Sequence, residues 1–301
     1  QLKQYCYERG IELVPNQNSF GHMERWLQHD AYKALAECPE GFTDFGGVFR
    51  PAGTSLSPAV PGALDLLRDL YDQLLPHFDA AAFNIGGDEP WELCQGRSAE
   101  LCSKQGRGRV YLDFLNKIHR EVARRGRRMQ FTGDVLAQHP ELLSELPHDV
   151  TVLDWGYEAD HPFEREAALF QAAGIEFYLM SGTSSWNAIG GRWDNARQNI
   201  ACAAEAGLAH GAAGYIVTDW GDNGHTQQLP VSYPGWAYAA AMSWKAGRNK
   251  ALDVAEALAL HVLPGEADIA RHLAEAVLAL GNVYRAEPLR LHNATVLATM
   301  L

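Results

Sequence analysis

The chain has 301 residues, 47% of them hydrophobic and 21% charged, which suits one large globular domain or two small ones and excludes a disordered or fibrous chain. Lys and Arg number 25 against 37 Asp and Glu, a formal charge of −12, so the surface repels phosphate backbones and anionic membranes and no nucleic acid partner is expected. No apolar run approaches the roughly 18 residues of a membrane span, so no membrane partner is expected either. The five cysteines are scattered without a CxxC, which reads as reduced thiols in a cytoplasmic protein.

A helical pattern over residues 1–9 leads into an apolar run at 11–15 that predicts a strand. Further strands are predicted at 81–85, 129–132, 151–155, 176–180 and 215–220, each rich enough in Val, Ile, Phe and Tyr to be buried on both faces. Between them, amphipathic helices are predicted at 62–77, 110–125, 162–173 and 195–209, with Gly126, Gly174 and Gly207 as their stops. After the last strand, 234–246, 250–262 and 267–284 read as helices, and no linker or repeat interrupts the chain.

Alternating strands and helices make a parallel sheet, either open and doubly wound or closed into a barrel. Almost every strand runs into a polar or aromatic cluster: NQNSFGH, GGDEPW, GDV, DWGYE, SGTSSWN and TDWGDNGH. Chemistry at the C-terminal ends of many strands favours the barrel, because a doubly wound sheet concentrates its site at one crevice. The fold expected is therefore α/β, a (β/α)8 TIM barrel. Six strands are legible where a barrel needs eight, so the first two are expected to be missing from the N-terminal side of this chain. The catalytic barrel is placed at 1–247 and a C-terminal helical extension packed on it at 248–301.

The segment Phe83-Asn84-Ile85-Gly86-Gly87-Asp88-Glu89-Pro90-Trp91 ends a buried strand in two glycines and two adjacent carboxylates. Repulsion and partial burial would keep one of that pair protonated near neutral pH, giving an anion and an acid together, as a glycosidase requires. Ordinary glycosidases hold their two carboxylates on opposite sides of the scissile bond, which sequence neighbours do not naturally provide. The Gly-Gly-Asp-Glu strand end resembles glycoside hydrolase family 20, the β-N-acetylhexosaminidases, and Arg9-Gly10-Ile11-Glu12-Leu13-Val14-Pro15 followed by Phe20-Gly21-His22 is similar to that family's RGIEVIP…PGH element. Asn84, the run 17–23 and Trp220-Gly221-Asp222-Asn223-Gly224 resemble the divergent, hexosaminidase D-like branch. The likeness extends from Arg9 to about Trp244.

The resemblance implies exo-acting, substrate-assisted retaining hydrolysis, in which the acetamido oxygen of a terminal β-linked N-acetylglucosamine or N-acetylgalactosamine attacks its own anomeric carbon. Asp88 would orient the acetamide and stabilise the oxazolinium, and Glu89 would be general acid and then base. His22 matches the histidine of the polar network behind the acid. Trp155, Trp186 and Trp220 at three strand ends would box the N-acetyl group, either Tyr157 or Asn187 would donate to the acetamido oxygen, and Asp222 would bind sugar hydroxyls. The partner implied is an oligosaccharide or glycoconjugate. No cofactor or metal is implied. Two departures stand out: Thr132 occupies a place where related enzymes often carry Trp, and the arginine of the family's first strand is not in this chain.

Two rival readings follow from the same residues. His22, Asp88, Glu89, Asp134 and Asp222 could converge on a cation in a metal-dependent sugar isomerase or hydrolase, although there is no HExxH and no His-x-His at a strand end. A non-catalytic sugar-binding barrel is the other, opposed by the intact Asp88-Glu89 pair.

Overall fold

The computed structural model describes residues 1–44 and 46–300. A small antiparallel pair comes first, β1 (Phe42–Thr43) with β2 (Phe49–Arg50). The main sheet has five strands in sequence order: β3 (Ala82–Asn84), β4 (Arg128–Thr132), β5 (Thr151–Trp155), β6 (Glu176–Gly182) and β7 (Gly214–Thr218). Pairing is parallel, with Asn84 opposite Gln130, Gln130 opposite Thr151, and Tyr178 opposite Gly214. Helices cross between the strands, the (β/α) alternation expected of a TIM barrel.

Five of the six predicted strands form, and the first does not. The segment ending at Asn16 makes only a single parallel bridge among the described residues, Asn16 with Asn84. Its pairing is otherwise carried by Asn84 N–H donating to Pro15 O and Gln17 N–H donating to Asn84 O, both at 3.0 Å. Pro15 has no N–H to give, so the ladder cannot run back through residues 11–15. Ile11 is correspondingly exposed.

The predicted helices appear as Gly62–Leu74, Arg107–Ala123, Phe163–Ala172, Trp193–His210, Tyr233–Asn249, Val254–His261 and Ala267–Leu280. Gly126 and Gly174 take the left-handed φ of +67° expected at helix stops. Gly207 does not: it lies within Trp193–His210, and the left-handed cap is Gly211 at φ +69°. No described helix is long and apolar enough to cross a membrane.

The chain divides into two compact units, Gln1–Leu153 with Ala172–Glu176, and Asp154–Gln171 with Phe177–Leu301. In the first, Phe20 stacks on Tyr111 at 5.2 Å and meets Phe114 edge-on at 4.8 Å, while Tyr71 meets Phe83 at 4.9 Å. Full burial of side chains of this kind contributes roughly 1.5–3 kcal/mol each. The second unit packs Trp193, Ile200 and Ala204 of one helix against Tyr238, Met242 and Leu258 of the C-terminal helices.

The reading of five reduced thiols is corrected by a disulfide between Cys94 and Cys102, whose Cα atoms lie 5.6 Å apart. Cys94 N–H donates to the Ser98 hydroxyl at 3.1 Å, folding the chain back so that the helix Ala99–Gln105 presents Cys102 to it. Cys6, Cys38 and Cys202 are free thiols. The argument from thiols to a reducing compartment thereby loses one pair of its five cysteines.

Candidate active site

The acid cluster lies wholly in the first unit. Past β3 the chain takes left-handed turns at Gly86 (φ +62°), Gly87 (φ +105°) and Glu89 (φ +48°). Two glycines accept such angles without penalty, whereas Glu89 does so only because the surroundings hold it. The hold is visible: Thr132 Oγ1 donates to Gly86 O and the Tyr111 hydroxyl to Gly87 O, each at 2.9 Å. On the other side Gly21 leaves no room for a side chain, since a Cβ there would collide with the backbone carbonyl of Asp88.

This loop turns both acids toward His22, itself at φ +56°. Nε2 of His22 lies 3.3 Å from Asp88 Oδ2 and 3.5 Å from Glu89 Oε2. The hydrogen bond to Asp88 outweighs the effect of burial and, helped by the charges of Asp88 and Glu89, raises the His22 pKa to about 9. His22 is therefore an imidazolium at neutral pH, gripping both carboxylates on one side.

A third acid joins them from the end of β4. Asp134 Oδ2 accepts the backbone N–H of Glu89 at 3.4 Å. Burial first, then the neighbouring charge of Asp88, pushes its pKa up to about 7. Thr132 puts its hydroxyl 3.4 Å from Asp88 Oδ1, so that side of the loop is braced by hydrogen bonds. Trp91 meets the His22 ring edge-on at 6.5 Å and lies under the Arg50 guanidinium at 5.5 Å. Its position two residues past Glu89 was the only signal of that role.

The predicted aromatic group lies in the second unit and is assembled there. Trp155 stacks on Tyr157 at 5.3 Å, Tyr157 meets Trp186 edge-on at 5.0 Å, and Trp220 Nε1 donates to the Tyr157 hydroxyl at 2.9 Å. Trp186 is 1% exposed and Trp220 43%, so the first is a wall of the core and the second an open face. Gly182 allows the packing, because a Cβ there would meet both Trp186 and Tyr157. Asn187 and Asp222 are brought near each other, 3.5 Å apart through Asn187 Nδ2, and Asn223 Nδ2 donates to Asn187 Oδ1 at 3.0 Å. Asn187 also gives a hydrogen bond to Asn293 O at 3.4 Å, so its amide is engaged within the protein.

Sequence reasoning overlooked Asp219. Its Oδ1 accepts the hydroxyls of Thr183 at 2.5 Å, Ser185 at 2.6 Å and Ser232 at 2.8 Å, tying three loops together. The signal was the Asp-Trp pair at a strand end: successive residues of an extended chain point to opposite sides, so the acid before Trp220 is aimed away from it. Asp154-Trp155 repeats the pattern. Asp154, His161 and Glu166 are the described group of three close enough to share an ion, and His161 Nε2 already lies 3.1 Å from Glu166 Oε2. The five residues of the metal-dependent rival do not form such a group among the described residues.

The model of the glycosyl hydrolase family 20 catalytic domain matches residues 1–207. Hexosaminidase D of Homo sapiens is 28% identical over 185 residues, covering 57% of this chain and 35% of that protein. Hexosaminidase D of Bos taurus is 25% identical over 188 residues, covering 58% and 48%. Among solved structures, a chitobiase from Flavobacterium johnsoniae superposes with a TM-score of 0.54 at 16% identity, over 93% of this chain and 41% of that one. The β-N-acetylhexosaminidase of Bacteroides fragilis gives 0.55 at 17%, over 74% and 45%. An exo β-N-acetylglucosaminidase from Vibrio harveyi, in complex with N-acetylglucosamine, gives 0.53 at 16%, over 94% and 44%. The chain spans less than half the length of each of these proteins. With a family match over residues 1–207 and the acid pair at the end of β3, the chain belongs to glycosyl hydrolase family 20.

Proposed function

We propose that the chain is the catalytic part of an exo-acting β-N-acetylhexosaminidase that releases terminal β-linked N-acetylglucosamine or N-acetylgalactosamine from an oligosaccharide or glycoconjugate. The observation that carries this reading is the convergence of Asp88 and Glu89 on one nitrogen of His22, at 3.3 and 3.5 Å. Two carboxylates gripped from one side do not flank a scissile bond, so this pair supplies no enzyme nucleophile on the opposite face of the sugar. Chemistry in which the substrate's acetamido oxygen attacks the anomeric carbon fits the pair better.

In that reaction the acetamido oxygen bonds to the anomeric carbon as the glycosidic bond breaks, and Glu89 gives a proton to the departing oxygen. Asp88 stays an anion beside the oxazolinium, countering its positive charge. Water then attacks the anomeric carbon, Glu89 takes a proton back from it, and the configuration is retained. For this step Glu89 itself must carry the proton, and His22 Nε2 lies 3.5 Å from its Oε2. In the second unit, Trp155 and Trp220 with Tyr157, backed by the buried Trp186, form an aromatic group suited to an N-acetyl methyl and a sugar face.

The test is substrate choice in the full chain. A β-N-acetylglucosaminide and the matching β-glucoside differ in the group that acts as nucleophile, so the difference should appear in kcat as well as in KM. Comparable kcat for the two would exclude the substrate-assisted reaction. A thiazoline analogue of the oxazolinium should inhibit competitively, and Asp88→Ala should weaken its binding.

A further inference from the structure

The carboxyl group of Asp134 has no place in that reaction, yet it sits against the acid that does. The parallel register explains why. Asn84 lies opposite Gln130, and Asp88 and Asp134 each stand four residues further along their chains, so neighbouring strands deliver the two carboxyl groups to the same level. Asp134 Oδ2 accepts the N–H of Glu89, the residue bent to φ +48°. Its other oxygen, Oδ1, is buried without a hydrogen-bond partner among the described residues.

We propose that Asp134 is a positioning residue for the general acid: in its neutral form it anchors the backbone N–H of the left-handed Glu89 without placing a third negative charge beside Asp88 and Glu89. This rests on the hexosaminidase reading above. A carboxylate oxygen buried with no donor is costly, and a protonated group costs far less there. The neighbouring acids also push Asp134 toward its neutral form, against the Glu89 N–H, which favours the anion. Asp88 and Glu89 approach from the loop after β3 and repel an anion. From the helix Arg107–Ala123 comes the buried hydroxyl of Tyr111, which itself feels Asp134 and Asp88 as neighbouring charges and Arg107 as an opposing one. His22, the nearby cation, is committed to Asp88 and Glu89. Burial and these neighbours bring the Asp134 carboxyl to about 7, so it changes charge within the working range of an enzyme. Once ionised it would add a charge next to the pair and strengthen Glu89's hold on its proton, slowing transfer to the leaving group.

The experiment compares Asp134→Asn and Asp134→Ala with the wild-type full chain, using a β-N-acetylhexosaminide with a poor leaving group. Asn keeps an oxygen for the Glu89 N–H and cannot ionise, so it should hold kcat near the wild-type acid-side value and lack the fall in kcat as pH rises through about 7. Ala removes the anchor and should lower kcat by about 10-fold or more at every pH, with KM changed less, since the hydrogen bond to the bent backbone is lost together with its geometry. An Asn variant with the wild-type alkaline limb, or an Ala variant with wild-type kcat, overturns the proposal.

A readout independent of turnover separates this from the functional reading. A carboxyl group whose pKa is raised on folding binds its proton more tightly in the folded chain, so stability is lost as pH rises from the unfolded value toward about 7. The wild-type denaturation midpoint should fall over that window and the Asn variant's should fall less. If the protein fails to hydrolyse hexosaminides yet shows this difference, the functional reading is wrong while the neutral Asp134 stands. Equal slopes in the two proteins overturn the neutral Asp134.

Discussion

The acid cluster and the aromatic cluster are built on opposite principles. Around Asp88 and Glu89 the structure spends left-handed backbone, buried charge and tight approach: His22 and Glu89 at positive φ, Gly21 against a carbonyl, Asp134 buried beside its neighbours. Around Trp155, Tyr157, Trp186 and Trp220 it uses stacking and edge contacts between neutral rings, with Asp219 satisfied by three hydroxyls beneath. The first arrangement responds to one proton or one atom. The second responds to volume. Substitutions in the acid cluster should therefore cost rate more than stability, and substitutions in the aromatic cluster should cost stability first.

Glu89→Gln is the most severe test of the first half. Removing a positioned proton donor should cost roughly 10²- to 10⁴-fold in kcat on a substrate with a poor leaving group. A nitrophenyl glycoside, whose leaving group departs without a proton, should lose far less. The melting temperature should stay close to wild type, because the substitution is nearly isosteric and removes one charge from an anionic cluster. Equal losses on both substrates would move the acid's role to another residue.

Trp186→Ala inverts that pattern. The ring is 1% exposed, so its deletion should destabilise the protein by about 3–5 kcal/mol in denaturant titration, as buried tryptophans do. Trp220→Phe, at a ring 43% exposed, should lose little stability and one hydrogen bond of about 1 kcal/mol to Tyr157, raising KM. A Trp186→Ala protein as stable as wild type would show that the ring belongs to an adaptable pocket.

Gly21→Ala tests where the two effects meet. A methyl group directed at the Asp88 carbonyl must push the acid loop away, costing about 1–3 kcal/mol of stability as overpacking does. It should also cost turnover, since Glu89 rides on the same loop. Loss of stability with unchanged kcat would mean that the loop relaxes without disturbing the acids.

How much of this was readable in the sequence depends on how local each cause is. Asp88 and Glu89 were legible because the glycines and the strand end that aim them are adjacent in the chain, whereas His22 was reached through the likeness of Phe20-Gly21-His22 to a family element. Asp134 could be seen only as an acid following a strand, since its partnership with Asp88 depends on the β3–β4 register, which the sequence does not state. The strand expected at 11–15 is absent because Pro15 has no N–H to continue the ladder, a break that the apolar run does not reveal. The Cys94–Cys102 bridge rests on a turn at Ser98 that spacing alone did not suggest. Asp219 was passed over for Asp222, although the alternation of an extended chain aims the acid and Trp220 in opposite directions.

The smallest expected effect is the most specific for the acid cluster, and it concerns the charge of His22. Its pKa rises from an ordinary 6.5 to about 9 through Asp88 first and then Glu89, so the folded chain holds the proton more tightly than the unfolded chain. The resulting stabilisation is complete below 6.5 and is lost as pH rises through about 9. Asp134 titrates lower, near 7, so a decline between pH 7 and 9 belongs to the histidine. The side chain is 37% exposed, and water weakens ion pairs in such positions, so the decline should be a modest shift of the urea midpoint. His22→Gln should flatten it, and high salt should reduce it in the wild type, because the pairs with Asp88 and Glu89 are partly screened. A wild-type midpoint that holds steady from pH 7 to 9 would mean that His22 is neutral between its two acids.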